Sequence, residues 1–197
     1  MRKNILILLL ACMLLPLNAH GAQPIDILQT AIDQVIFILE DPIYQDESLV
    51  NSQKEKLSGI INEIFDFEEM SKRTLARDWK IFSPQQQTEF IEVFGEFLSN
   101  NYLKKIQSGF KGEKVIYLDY EIIGDTKAFV ETKILRESIE IPVNYSMLVS
   151  NKTWRIYDVK IEGVSLMKNY RVQFKSILLK DSPDQLIETL RKKVEEQ

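Results

Sequence analysis

Two hydrophobic periods divide the chain. Up to about residue 110, and again after residue 165, apolar side chains recur at spacings of three and four, the pattern of helices with one buried face. Between them they recur at every second position, the pattern of strands with one face turned to a core. The first helix is predicted over Pro24–Leu39, with Ile25, Leu28, Ile32, Val35, Ile36 and Leu39 as its stripe and Asp41-Pro42 as its end. A second begins near Glu47 and carries Leu49, Leu57, Ile60, Ile61 and Ile64. A third opens at Asp66, with Glu68 and Glu69 complementing its dipole and Met70, Leu75 and Trp79 as apolar members. Ser83-Pro84, with Gln86 behind them, is a strong start signal for the fourth helix, predicted to about Gln107. Its apolar residues Phe90, Ile91, Val93, Phe94, Phe97, Leu98 and Tyr102 cover about half the circumference, wider than a surface helix needs.

Four strands are predicted: Val115–Ile123, Lys127–Leu135, Ile139–Ser150 and Thr153–Ile161. Gly124-Asp125, Arg136–Ser138 and Asn151-Lys152 supply the turns, and links this short force antiparallel neighbours in a meander. Pro142 predicts a bulge or an edge within the third strand, whose Ile139, Ile141, Val143, Tyr145, Met147 and Val149 form one apolar face. Strict alternation puts Trp154, Ile156 and Asp158 on one side of the fourth strand, with Arg155, Tyr157, Val159 and Ile161 on the other. Gly163 breaks that pattern, and Ser165 is placed to cap a helix whose Leu166, Tyr170, Phe174 and Ile177 share a face. Ser182-Pro183 introduces a last helix with Leu186, Ile187 and Leu190. The expectation is one α+β domain over residues 23–197: a helical part at about 24–110, a four-stranded antiparallel sheet at about 113–162, and C-terminal helices at about 165–195.

Composition narrows the chemistry. At 45% hydrophobic and 27% charged, the 197 residues suit one well-buried globular domain. Residues 1–22 read as a signal peptide: Arg2 and Lys3, then the apolar run Ile5–Leu17, then a small-residue exit at Ala19, Gly21 and Ala22. That run is too short to cross a bilayer of about 30 Å as a helix rising about 1.5 Å per residue. Leu9-Leu10-Ala11-Cys12 loosely resembles a lipoprotein processing site, but the apolar run continues beyond it. The net charge of −4 becomes −6 once Arg2 and Lys3 are removed, a balance that argues against a nucleic-acid partner. Cys12 and His20, the single cysteine and histidine, both fall in the segment to be removed. The remaining chain therefore cannot form a disulfide, a Cys/His zinc site, a cysteine nucleophile or a histidine base.

Three constellations remain to be weighed. Asp66, Glu68 and Glu69 could be a metal or acid/base cluster, but favourable charge at a helix start explains them without further ligands. Tyr157 and Asp158 fail as an acid/base pair, because successive strand residues point to opposite faces. The aromatic residues, 10% of the chain, fit an ordinary core, yet the broad stripe of the fourth helix also fits an apolar cavity between helices and sheet. Pattern leaves both open.

At this point the residues resemble a known family. Phe65-Asp66-Phe67-Glu68, Met70, Leu75 and Trp79, followed by Ser83-Pro84, Gln86, Phe90, Phe94, Leu98 and Tyr102, are similar to the central block of MlaC-type periplasmic phospholipid-binding proteins, also called toluene-tolerance proteins. Trp154–Val159, Ile161–Leu166, Asn169-Tyr170-Arg171 and Phe174 resemble the family's C-terminal block, and Asp184, Leu186, Ile187 and Leu190 its tail. Ala76 departs from the pattern, where the family usually has glycine at a helix contact. The resemblance implies helices around a curved, NTF2-like sheet enclosing an apolar pocket for acyl chains. It implies a soluble periplasmic carrier moving phospholipid between inner and outer membranes and so maintaining outer-membrane lipid asymmetry. The implied partners are phospholipid, an inner-membrane ABC transporter complex with a lipid-binding ring, and an outer-membrane lipoprotein–porin complex. The carrier would be a monomer with no cofactor, no metal and no catalytic residue. Expected pocket residues are Phe67, Met70, Phe90, Phe94, Tyr145, Trp154, Ile156, Leu166, Tyr170 and Phe174. The rival expectations are a chaperone-like protein-interaction module and, behind it, an enzyme on the same kind of fold.

Overall fold

In the computed structural model, which describes residues 22–196, the chain forms six α-helices and one sheet. The expected signal segment lies outside the described residues except for Ala22. Among those described, no helix is long and apolar enough to cross a membrane. Helix α1 (Pro24–Glu40) leads through two 3₁₀ turns, Pro42–Gln45 and Glu47–Leu49, into α2 (Val50–Ile64). Helix α3 (Phe67–Leu75) follows, then a 3₁₀ segment Ala76–Ile81, and then the long α4 (Pro84–Gly109). Strands β1 (Lys114–Ile123), β2 (Lys127–Arg136), β3 (Ile139–Ser150) and β4 (Thr153–Ile161) come next, then β5 (Val164–Ser165), α5 (Leu166–Leu178) and α6 (Pro183–Glu195).

Local chemistry sets these boundaries. At the start of α4 the Ser83 hydroxyl accepts from the Gln86 N–H at 3.2 Å, and the Gln86 side chain accepts from the Ser83 N–H at 2.9 Å. Ser182 and Gln185 repeat that reciprocal cap at α6. Asp66 accepts from the Glu69 N–H at 2.8 Å, while Glu68 and Glu69 pair with Lys72 and Arg73 one turn on. The acidic cluster is therefore a helix start. Helix α3 ends earlier than its apolar residues suggest, because Ala76 takes φ 52° and ψ −112° and turns the chain into the 3₁₀ segment that carries Trp79. Glycine adopts such a backbone freely, whereas alanine is strained there by about 1–2 kcal/mol. The glycine that the resemblance leads one to expect at this position would thus answer a backbone need. The close helix contact lies elsewhere, at Gly95 of α4, where a Cβ would meet the Phe67 ring 3.2 Å away.

The sheet has five strands rather than the expected four, in the order β1-β2-β3-β4-β5, all antiparallel and open at both ends. Strand β5 escapes sequence pattern because two residues carry no period. Turns Asn151-Lys152 and Glu162-Gly163 have positive φ at both positions, the hairpin geometry that follows sheet twist. Pro142 sits opposite Lys133 of β2, and its carbonyl accepts from the Glu162 N–H at 2.9 Å just past the end of β4. Its missing donor thus faces a place where pairing stops, as expected of an edge.

The alternation in β4 needs correction. Met147 pairs with Ile156 and Tyr145 with Val159, so Tyr157 is an extra residue without a partner, a bulge. Ile156, Val159 and Ile161 consequently share the inner face, and Asp158 points away from it. The inner face of β3 is also shorter than its sequence suggests, since Ile139 at one end is well exposed.

Candidate lipid-binding cavity

Apolar side chains of the helices meet the rest of the molecule in two different ways. On one side, Phe82, Phe90, Phe94, Tyr170 and Phe174 interlock with ring centroids 5.3–5.8 Å apart. Phe90 and Phe94 are fully buried, and Leu186, Ile187 and Leu190 of α6 close this cluster. Edge-to-face contacts at these separations mark a filled core. On the other side, α1, α2, the second half of α4 and the inner face of the sheet enclose a cavity of about 390 Å³.

Aliphatic side chains make most of its wall. Helix α1 contributes Leu28, Ala31, Ile32, Val35, Ile36 and Leu39, and α2 contributes Ile60, Ile61 and Ile64. Phe65, Phe67, Met70 and Leu166 close one end, and Val115, Ile134, Val143, Tyr145, Ile156, Val159 and Ile161 form the sheet side. Helix α4 adds Leu98, Ser99, Tyr102, Leu103, Lys105, Ile106 and Gly109, with Phe110 beyond it. The charged members of the wall are Lys105, Glu113 and Arg136. They gather at one end: Lys105 lies one turn before Gly109, and Arg136 donates to the Gly109 carbonyl at 3.2 Å and to Glu113 at 2.6 Å.

Polar groups inside the wall are few and poorly solvated. The Ser99 hydroxyl is buried with no partner. Tyr145 retains accessible surface, yet burial pushes its phenol up to about 12. These two facts agree if that surface opens onto the cavity rather than bulk water. Burial, with Tyr170 beside it, also raises the Tyr102 phenol well above its ordinary range. Behind the wall, the Tyr117 phenol is raised by burial and by nearby Asp33 and Tyr145.

Of the ten expected pocket residues, Phe67, Met70, Tyr145, Ile156 and Leu166 line the cavity. Phe90, Phe94, Tyr170 and Phe174 do not; they are the filled aromatic cluster. Trp154 is also absent from the wall and packs at the edge of the sheet core, with Val149 as its partner on β3. Sequence reasoning missed the contribution of α1 and α2. The signal was present in α1, whose stripe was recognised but not assigned to anything.

The strand-to-helix corner has its own role. Asp158 accepts from the Ser165 hydroxyl at 2.6 Å and from the Met167 N–H at 3.1 Å, and Ser165 accepts from the Lys168 N–H. Tyr157, expelled by its bulge, lies under the Arg73 guanidinium at 3.9 Å, and Arg171 donates to the Arg73 carbonyl. These contacts join α3, β4 and α5 into a frame and leave Leu166 to face the cavity. Among the described residues, no His, Cys, Asp and Glu group has the makings of a metal site.

Comparison with known proteins agrees with this architecture. Among solved structures the chain is similar to the phospholipid-binding protein from Ralstonia solanacearum in complex with a phospholipid, with a TM-score of 0.75 at 20% identity, covering 89% of this chain and 98% of that one. No curated protein matches the chain. The family profile described as MlaC protein matches residues 29–192, nearly the whole described fold. The chain therefore belongs to the MlaC family.

Proposed function

We propose that this protein is a phospholipid carrier that holds acyl chain in the cavity between sheet and helices. The supporting observation is the cavity itself: an aliphatic space of about 390 Å³ whose charged groups stand only at one end. Exposing a buried methylene to water costs about 0.8 kcal/mol, so a 16-carbon tail left in solution costs roughly 12 kcal/mol. A carrier must sheathe such a tail, and a bilayer-to-cavity transfer is then near balance, allowing both uptake and release. Membership of the MlaC family and likeness to a phospholipid-bound fold support the same ligand class.

Volume adds a number. A cavity of about 150 Å³ accommodates benzene, about 25 Å³ per carbon, so the space here suits roughly 16 carbons, one acyl chain. A second chain requires the wall to move. Helix α1 is suited to that movement, since only Pro24 and Leu28 of its residues are buried.

The wider role follows the family resemblance. The protein would be exported by the segment 1–22, move phospholipid between the two membranes of the envelope, and exchange it with an ATP-driven inner-membrane complex and an outer-membrane lipoprotein–porin assembly. Binding suffices for this role, and no cofactor is required. Mass spectrometry of lipid extracted from protein purified from its native compartment tests the carrier reading. Phospholipid is the expected finding; no co-purifying lipid together with no uptake from liposomes overturns it.

A further inference from the structure

We propose that Arg136 and Lys105 form a site for the phosphate of the lipid headgroup at the mouth of the cavity. This rests on the carrier reading and adds what that reading lacks, a polar determinant. The Arg136 guanidinium is oriented before any ligand arrives. Its Nε donates to Glu113 at 2.6 Å and one terminal nitrogen donates to the Gly109 carbonyl at 3.2 Å. Glu113 is itself fixed, 9% exposed, with its other oxygen accepting from the Lys111 N–H at 2.7 Å. These bonds leave the second terminal nitrogen of Arg136, on a side chain 47% exposed, directed to neither partner.

Lys105 lines the same cavity and makes no ion pair among the described residues; its ammonium rests 5.2 Å from the centre of the Tyr102 ring. Structural duty at the end of α4 explains two of the Arg136 nitrogens. Lys105, an exposed side chain one turn earlier on α4, adds a second cation to the same wall. The carbonyl end of a helix repels anions, but here Arg136 occupies the Gly109 carbonyl and the Phe110 N–H satisfies that of Ile106. Two cations against the single Glu113 leave a positive mouth on an apolar slot. Such an end fits a molecule with one long tail and an oxyanion at its head, and a guanidinium edge at Gly109, with an ammonium carried on the same wall about one turn earlier on α4, suits phosphate.

The test compares two single-chain probes with the same 16-carbon tail, monopalmitoylglycerol and its 3-phosphate, by calorimetric titration below their micellar concentrations. The protein is expected to prefer the phosphate by about tenfold, the worth of one good charge-assisted contact. Lys105→Gln and Arg136→Gln should each erode that preference, while Lys180→Gln, away from the cavity wall, keeps it. Arg136→Lys should restore part. If Arg136→Gln melts at a markedly lower temperature, Lys105→Gln carries the comparison alone. A preference surviving in Lys105→Gln, equal binding of palmitate and the phosphate, or tail-independent binding of inorganic phosphate would each overturn the proposal. Failure of both glycerol probes to bind would instead overturn the carrier reading beneath it.

Discussion

The two halves of α4 face the same interior and do opposite things. From Phe90 to Phe94 the helix packs into rings that leave no space, and from Leu98 to Gly109 it borders the cavity of about 390 Å³. Side-chain shape accounts for the difference. Aromatic rings on α4 and α5 interlock edge to face and are closed off by the aliphatic face of α6. In the other half, α1 and α2 offer aliphatic stripes to a sheet face across the cavity. A filled region therefore adjoins one that encloses a cavity. The breadth of the α4 stripe, excessive for either region alone, follows from serving both.

Substitutions can break this contrast. The largest effect is expected at Phe94, fully buried among Phe90, Tyr170 and Phe174. Phe94→Ala should cost about 3–5 kcal/mol, measured by urea unfolding; a loss below about 1 kcal/mol would mean that this half is not tightly filled. An intermediate effect is expected at Ala31, on the α1 wall. Adding a ring to a filled core costs about 1–3 kcal/mol, but Ala31→Phe should leave stability within about 1 kcal/mol while abolishing lipid uptake from vesicles. Unchanged uptake with lowered stability would place Ala31 in packed core instead.

The smallest effect concerns Tyr145. Its folded-state pKa of about 12 lies above the ordinary value of 10. The unfolded chain therefore releases this proton first, and stability falls as pH rises from about 10 towards 12. Tyr145→Phe should remove part of that alkaline decline and leave stability at pH 7 nearly unchanged. An unaltered decline would show that Tyr145 is not the group shielded from water.

Much of the architecture is written locally. The Ser83–Gln86 and Ser182–Gln185 caps, the Asp66 start and the glycine break at Gly163 fix where elements begin and end, because each acts within a few residues of chain. Half of the expected pocket was legible too: Phe67, Met70, Tyr145, Ile156 and Leu166 reach the cavity. The other half was not, for a physical reason. Phe94 and Ile32 carry the same signal in sequence, since an apolar face at helical period records that water is excluded and not what excludes it.

By itself, then, the sequence determined the order of the six helices and of four of the five strands, the α+β class and the absence of cysteine and histidine chemistry beyond residue 22. Tertiary structure alone decided which apolar side chains fill space and which enclose it. It also decided the facing of β4, because the bulge at Tyr157 arises from pairing with β3 and turns Val159 inward beside Ile156. Local signals act through nearby backbone bonds, whereas filling and facing depend on which partners arrive from far along the chain.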